Sequence, residues 1–531
     1  MLNDPQADRL LDAAKRAFAG GDKLRAAALA RQALLRRPGD GVALQIVGLV
    51  ALEAGEFAAA RKHLESAAAA QPNAAILNML GVAAHGTGDV IAARGAFTRA
   101  GELGLVDGWR NLAGLEARAG APDAAIQAHH RALSLEPNDA AAHAGLAQAY
   151  ESRHDLARAK GHAEAALKAE AANAVACLAL GRVLLREKDF AGAEAAVSRL
   201  IAGGRASAEQ RVAAFGLIGD ARDRVGDARV AFQAFTAANQ LTLQQHGAWL
   251  NATERLYHPE NVRRMAGLVA EADISTWPGA GAPSRSPAFL IGFPRSGTTL
   301  LDQILSSHSG IICLEEKEFF SEALAEVLVA PERTWDIGKL SVEDIVRVRE
   351  GYWRRVEAPA GALVVDKFPL NIVVLPLIKR IFPDAKVIFA LRDPRDVVLS
   401  CYQQRFSLNA AMAQFLELDR AAAYYDQVMA LYELCRERLG IDLHQVRYED
   451  VVSGLESAAR ALCDFLGMTY EPAMLDYRAT ALKREITTPS ARQVIEPLYD
   501  RSVGRWRRYA EDLAPVLPRL SVWAQRLGYA P

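Results

Sequence analysis

The first half of the chain repeats a pattern of small apolar positions that predicts pairs of helices. Alanine-rich stretches, each long enough for one helix, are separated by short breaks such as Gly88-Asp89. Pro38 and Pro72 each end such a pattern and lie 34 residues apart. A fixed period of this length indicates a structural repeat, and about seven units of roughly 33–36 residues cover residues 7–245.

Small residues recur at equivalent positions of these units. Glycine marks the expected helix–helix contact at Gly48, Gly81 and Gly181, and it marks the turn at Gly55 and Gly120. The spacing resembles the tetratricopeptide repeat. The resemblance implies antiparallel helix pairs stacked into a superhelix, with a groove that holds a peptide or protein partner. The residues themselves leave open a rigid spacer or a dimerisation surface.

The pattern changes after the repeats. Residues 246–284 are predicted to be a helical connector and linker, because the breaker-rich run after Trp277 cannot continue a helix. Beyond it, helical stretches alternate with strand-like apolar runs at 288–293, 363–365, 386–391 and 443–448. Strands separated by helices predict a parallel sheet, so residues 285–531 are expected to form an α/β domain.

The loop after the first predicted strand is typical of an anion site. Residues 292–299 read Gly-Phe-Pro-Arg-Ser-Gly-Thr-Thr, a tight turn that leads into a helix. Such a loop directs backbone N–H groups and the positive helix end at an anion, and Arg295 adds a multidentate donor. The nucleotide triphosphatase motif G-x-x-x-x-G-K-[ST] is disfavoured, because Thr298 stands in place of its lysine.

A second segment with polar residues after a predicted strand follows the run 386–391. That strand ends at Arg392, and the following helix carries Ser400. The two segments together resemble sulfotransferases that use 3′-phosphoadenosine 5′-phosphosulfate (PAPS). In that family the first loop binds the 5′-phosphosulfate, and an arginine and a serine eight residues later bind the 3′-phosphate. Taken alone, Arg392 and Asp393 would read as a surface ion pair.

Further residues, among them Glu316, Lys367 and Tyr448, resemble the tyrosylprotein sulfotransferase branch. Members of that branch include proteins with arginine in the first loop. The resemblance implies that Glu316 is the general base, with His308 and Glu315 as alternatives. It implies that Arg295, Lys367 and Ser490 stabilise the sulfuryl and leaving groups. The cofactor contacts that it implies are Arg295, Ser296, Gly297, Thr298, Thr299, Arg392, Ser400, Tyr448, Ser490 and Arg505.

The sequence departs from this branch around the predicted base. Leu314 replaces a glycine, Lys317-Glu318 replaces a threonine-arginine pair that helps bind acidic peptides, and Arg505 replaces a lysine. We expect a sulfotransferase that acts on a tyrosine of a protein or peptide held by the repeats. A glycan, lipid or small hydroxyl acceptor, and an inactive nucleotide-binding scaffold, are the alternatives.

The composition of the chain disfavours some classes of binding partner. The chain of 531 residues has 62 basic and 63 acidic residues, which does not favour a nucleic-acid or anionic-membrane partner. The five cysteines have no metal-type spacing, and no metal is expected. The N-terminus lacks a secretory signal pattern, and no apolar run is long enough for a membrane span. A cytoplasmic protein is therefore expected. The sequence does not indicate its oligomeric state.

Overall fold

The structure is a computed structural model that describes residues 4–204, 206–253, 255–273, 277, 281, 283–327, 337–359, 361–483 and 501–530. The chain divides into two compact units, Met1–Ala221 and Arg222–Pro531. The first is all-helical, and the second contains a five-stranded sheet. The predicted fold class, tetratricopeptide-like repeats followed by an α/β domain, is confirmed.

Fourteen helices of the described residues follow one another up to residue 246. They are α1 (Pro5–Ala19), α2 (Lys23–Arg36), α3 (Gly41–Glu53), α4 (Phe57–Ala70), α5 (Ala74–Gly86), α6 (Val90–Glu102), α7 (Val106–Arg118), α8 (Pro122–Leu135), α9 (Ala140–Ser152), α10 (Leu156–Ala169), α11 (Ala174–Arg186), α12 (Phe190–Ala202), α13 (Ala208–Arg224) and α14 (Ala228–His246). Each odd-numbered helix is joined to the next by a turn of three residues.

One residue of each of these turns has a positive φ, which glycine adopts without a steric penalty. These residues are Gly21, Gly55, Gly88, Gly120, His154, Lys188 and Gly226. In five of the turns the next residue is an aspartate whose carboxylate caps the following helix, as Asp89 does by accepting from the N–H of Ala92. The Gly-Asp breaks therefore encode both the turn and the helix start.

Small residues let the two helices of a pair approach closely. A Cβ at Gly48 of α3 would lie 2.7 Å from Leu64 Cγ of α4, and one at Gly81 would lie 2.5 Å from Phe97 Cδ1. These separations are well below van der Waals contact, so a larger residue would push the helices apart. The glycines that the sequence placed at helix contacts do lie there.

After α14, the described residues of the second unit form five strands and twelve α-helices. Its strands are β1 (Ala288–Gly292), β2 (Ile311–Glu315), β3 (Leu363–Lys367), β4 (Lys386–Leu391) and β5 (Asp442–Arg447). Its helices after α14 are α15 (Pro259–Glu271), α16 (Thr298–Ser306), α17 (Phe319–Val327), α18 (Val342–Arg355), α19 (Leu375–Ile381), α20 (Pro394–Gln403), α21 (Leu418–Arg438), α22 (Tyr448–Ser453), α23 (Leu455–Leu466), α24 (Tyr477–Lys483), α25 (Ala510–Leu513) and α26 (Leu517–Arg526).

The five strands form one parallel sheet in the order β2-β3-β1-β4-β5. Alternate residues of β1 enter different cores: Phe289 and Ile291 join one apolar cluster, and Ala288 and Leu290 join another. The sheet is thus covered on both faces, which agrees with near-continuous apolar strands. Four strands were predicted from the sequence, and β2, an edge strand, was missed.

Helix α14 packs into the core of the second unit, although the sequence pattern assigns it to the repeats. Its Ala231 and Phe235 belong to the same apolar cluster as Phe289. Asn239 Nδ2 donates to the carbonyl oxygen of Tyr402 at 2.9 Å. The repeat pattern of the sequence and the first compact unit therefore end at different residues.

Candidate active site

The loop between β1 and α16 has a backbone that only particular residues can adopt. A Cβ at Gly292 would lie 2.7 Å from the carbonyl oxygen of Ala390, so glycine is required for this close approach. Gly297 has a φ of 105° and caps α16. Arg295 has a φ of 72°, which is uncommon for a residue with a side chain. Strain of this kind, on the order of 1–3 kcal/mol per residue, is typical of ligand-binding loops.

Polar atoms of this loop are directed inward. Ser296, Thr298 and Thr299 are all buried. The hydroxyl oxygen of Ser296 has no hydrogen-bond partner within the described part of the chain. A buried polar atom without a partner is costly, and a bound anion at the start of α16 would supply one.

Arg392, directly after β4, lies against the same loop. Its Nη1 donates to the carbonyl oxygen of Arg295 at 3.1 Å, and its Nη2 donates to that of Ser502 at 2.5 Å. Its Nε is buried and has no partner among the residues that the structure describes. The guanidinium is therefore fixed by two carbonyl groups and keeps a donor for a ligand.

Ser400 and Tyr448 complete this cluster. Arg295 Nε donates to Ser400 Oγ at 3.0 Å, which joins the loop to α20. The guanidinium carbon of Arg392 lies 4.9 Å from the ring centroid of Tyr448, a cation–π distance. A Cβ at Gly297 would lie 2.9 Å from Tyr448 Cδ2, so the ring packs on the loop. Residues predicted for the two phosphates thus form one continuous group.

A second cluster lies at the carboxyl ends of β2 and β3. Lys367 Nζ lies 3.0 Å from Glu316 Oε1 and 3.9 Å from Glu315 Oε1. The Lys367 side chain is 0% exposed, and the backbone N–H of Glu316 donates to the Lys367 carbonyl at 2.8 Å. Glu316 has a φ of 48°, which turns the chain out of β2. Since β3 neighbours β1, this cluster and the first loop share one edge of the sheet.

The three candidates for the general base differ in how far their side chains are accessible to an acceptor from solution. The Glu316 side chain is 32% exposed and that of Glu315 is 8% exposed, so Glu316 can meet an acceptor from solution. His308 has both ring nitrogens occupied, since Nδ1 accepts from the N–H of Gly310 at 3.0 Å and Nε2 lies 2.7 Å from the carbonyl oxygen of Thr469. The geometry gives His308 a structural role.

Two further predicted site residues are Ser490 and Arg505. Ser490 lies outside the described residues. The Arg505 guanidinium pairs with Asp223 in α13, with Nη2 and Oδ2 2.9 Å apart. The cofactor contacts of Ser490 and Arg505 stay predictions.

The sequence interpretation missed the contacts made next to the site by Asp393, Arg395 and Asp396. Asp396 Oδ1 and Oδ2 accept from the N–H groups of Trp506 and Gly504, each at 2.7 Å, and burial raises the pKa of this carboxyl. Asp393 caps α20 and accepts two hydrogen bonds from the Arg395 guanidinium, at 2.9 and 2.8 Å. The repeated Arg-Asp pair after β4 is the signal that could have found them.

Asp366 is a buried carboxyl next to Lys367 on β3. It accepts from Tyr352 Oη at 3.1 Å and from Asn371 Nδ2 at 3.3 Å. Burial raises the pKa of Asp366 to about 7, and the two hydrogen bonds partly oppose that shift. Because successive side chains of a strand alternate, Asp366 points away from the face that carries Lys367.

Two further observations concern the described residues. No group of three or more His, Cys, Asp or Glu side chains within them is arranged to hold a metal ion. No helix within them is long and apolar enough to cross a membrane.

Comparison with known proteins shows similarity to one enzyme family over part of the chain. The model of the sulfotransferase family matches residues 287–472. An uncharacterized protein of Aquifex aeolicus is 29% identical over 318 residues, covering 56% of this chain and 40% of that one. This chain thus spans less than half of that relative. Protein-tyrosine sulfotransferase 1 of Danio rerio is 25% identical over 46% of this chain and 72% of its own. A tetratricopeptide repeat protein from Parabacteroides merdae aligns at 14% identity and a TM-score of 0.36, covering 45% of this chain and 94% of its own.

Proposed function

Because the chain carries a sulfotransferase-family domain behind tetratricopeptide-like repeats, we propose that it moves a sulfuryl group from PAPS to a tyrosine of a protein or peptide. The observation that carries the proposal is the continuous cluster of Arg295, Arg392, Ser400 and Tyr448 beside the Lys367–Glu316 pair. The similarity to proteins named protein-tyrosine sulfotransferases supports the choice of acceptor.

The described residues fit a nucleotide with phosphate at both the 5′ and 3′ positions. Ser296 Oγ and the start of α16 offer donors to one anion. Arg392 offers its Nε to another, and Tyr448 lies against that guanidinium. ATP has no 3′-phosphate, so the group around Arg392 favours PAPS over ATP.

The donor supplies a sulfuryl group whose bond to the 5′-phosphate breaks as a bond to the acceptor oxygen forms, leaving adenosine 3′,5′-bisphosphate. Glu316 takes the proton of the acceptor hydroxyl, a contribution of about 10²–10⁴-fold in comparable enzymes. Lys367 holds Glu316 by its ion pair and places a positive charge where negative charge develops. Arg295, fixed by its unusual backbone and by Ser400, adds a second positive group.

The repeats are proposed to recruit the acceptor. Stacked helix pairs expose long surfaces suited to an extended polypeptide. Binding far from the reacting atoms positions the acceptor oxygen and raises turnover of a large substrate relative to a small one. This assigns the chemistry to the second unit and selectivity for the acceptor to the repeats.

The test begins with ligand binding. Adenosine 3′,5′-bisphosphate at about a hundredfold excess over its Kd should stabilise the protein by roughly 2.7 kcal/mol, and ATP at the same concentration by much less. Thermal unfolding measures both. Labelled PAPS is then supplied with a tyrosine peptide and with the same peptide carrying phenylalanine. Equal stabilisation by the two nucleotides would refute the donor. Labelling of neither peptide, or equal labelling of both, would refute tyrosine as the acceptor.

A further inference from the structure

Asp223, at the end of α13, is enclosed by three side chains from residues 505–509. Arg505 Nε lies 3.2 Å from Oδ1, and its Nη2 lies 2.9 Å from Oδ2. Arg508 Nη2 donates to Oδ1 at 3.1 Å, and the Tyr509 hydroxyl donates to it at 2.6 Å. The Asp223 side chain is 12% exposed. Such a shielded network is strongly coupled, unlike a solvated surface pair.

The segment that Asp223 holds is the one that borders Arg392. The carbonyl oxygen of Ser502 accepts from Arg392 Nη2 at 2.5 Å. Asp396 fixes the same segment from the side of α20 through the N–H groups of Gly504 and Trp506. Residues 502–506 therefore run between two carboxylates, and one carbonyl of this segment orients Arg392.

We propose that Asp223 is a positioning residue for the anion site at Arg392. It fixes residues 502–509, and these fix the Arg392 guanidinium with its Nε toward the ligand. The inference rests on the proposed function, because the ligand that distinguishes this site is a nucleotide with a 3′-phosphate.

A variant without the Asp223 carboxylate loses one of the two carboxylates that hold residues 502–506. Without the Asp223 carboxylate, two guanidinium groups and one hydroxyl lose their common acceptor. Like charges on Arg505 and Arg508 would then repel each other, and the turn at Gly504 would keep its hydrogen bonds to Asp396 but lose the anchor at Asp223. Arg392 Nη2 would keep its acceptor only part of the time, so the site would be less preorganised.

The experiment uses the 531-residue chain with Asp223→Asn, Arg392→Ala and the double variant. Calorimetry measures the Kd for adenosine 3′,5′-bisphosphate and for adenosine 5′-monophosphate. We expect Asp223→Asn to weaken bisphosphate binding by about tenfold and monophosphate binding by less than about twofold, the size of a charge-assisted contact. Because Asp223 acts through Arg392, adding Asp223→Asn to Arg392→Ala should cause no further loss.

Glu456→Gln is the matched control. Glu456 also pairs with an arginine, Arg460, but both side chains are more than half exposed. This variant should bind both nucleotides like the wild type. If Asp223→Asn is too unstable to assay, Tyr509→Phe removes a single hydrogen bond of the same network and should give a smaller loss with the same selectivity.

A further readout does not depend on the ligand. In the protein without nucleotide, Asp223→Asn should speed hydrogen exchange at the amides of Gly504 and Trp506, whereas Glu456→Gln should not. Equal weakening of both nucleotides, additive losses in the double variant, unchanged exchange or tighter bisphosphate binding would each overturn the inference. A wild-type protein that binds no bisphosphate refutes the proposed function instead, and the exchange experiment still decides whether Asp223 holds the segment.

Discussion

Arg295 Nε donates a 3.0 Å hydrogen bond to Ser400 Oγ, which joins the loop after β1 to the helix after β4. The resemblance to sulfotransferases placed these residues at opposite ends of the nucleotide. Their direct contact means that the two predicted phosphate sites are one hydrogen-bonded unit. Each site still has a donor of its own, Ser296 Oγ in the loop and Arg392 Nε after β4. Loss of one donor should therefore weaken mainly the binding of the anion that it contacts.

Arg392→Ala should weaken the binding of adenosine 3′,5′-bisphosphate by about 1.5–3 kcal/mol, because it removes a charged donor from the site. Adenosine 5′-phosphosulfate, which has no 3′-phosphate, should lose much less. Calorimetric titration with both ligands measures the difference. Arg460→Ala, at an exposed ion pair, is the control, and equal losses for both ligands would make Arg392 structural.

Glu316→Gln should lower turnover by about two to four orders of magnitude, since the amide keeps the shape of the side chain but cannot accept the acceptor proton. Nucleotide affinity should change little. Glu315→Gln and His308→Asn, assayed in parallel for sulfate transfer, identify the base. A chain that loses turnover only with His308→Asn would contradict the assignment to Glu316.

The stability of the second unit should depend on Asp366. Its pKa is raised to about 7 in the folded protein, against an ordinary value near 4, so the folded state binds more protons between these limits. The contribution of Asp366 to the free energy of unfolding therefore falls as the pH rises from about 4 to about 7, and it is constant above pH 7. Asp366→Asn should remove this slope, which is at most about 1.4 kcal/mol per pH unit. Urea unfolding at several pH values measures it, and parallel profiles for the two proteins would contradict it.

The position of a truncation should decide whether the second unit folds. A chain that begins at Ser207 keeps α13 and α14, whereas one that begins at Gly247 lacks Asp223, Phe235 and Asn239. We expect the longer fragment to fold and to bind adenosine 3′,5′-bisphosphate, and the shorter one to aggregate or melt early. Circular dichroism and nucleotide titration compare them. Equal folding of both fragments would show that α14 is dispensable.

The features that the sequence predicted are those with a local signature. Helix pairs repeat with a fixed period, and the loop around Arg295 is a compact run of glycine and hydroxyl residues after an apolar strand. Arg392 and Ser400 were assigned through the resemblance to sulfotransferases, in which an arginine at a strand end and a serine eight residues later bind the 3′-phosphate. Such patterns depend only on neighbouring residues, so they can be read without coordinates.

The features that were missed depend on contacts between distant residues. Strand β2 has five residues at the sheet edge, and its run Ile-Ile-Cys-Leu-Glu is too short to separate from a loop by periodicity. The left-handed backbone of Glu316 has no sequence signal, because glutamate rarely adopts it. Asp223 lies 282 residues before Arg505, a separation that no local pattern spans.

The turns of the repeats imply an uneven resistance to local opening. His154 and Lys188 occupy the left-handed turn position that glycine fills in the other five helix pairs, and each costs roughly 1 kcal/mol relative to glycine. In a stacked array each unit is stabilised chiefly by its immediate neighbours, so this cost stays with the adjacent pairs α9–α10 and α11–α12. Local unfolding of the array should therefore begin at these interior pairs as well as at its ends, and it would divide the array into two shorter blocks.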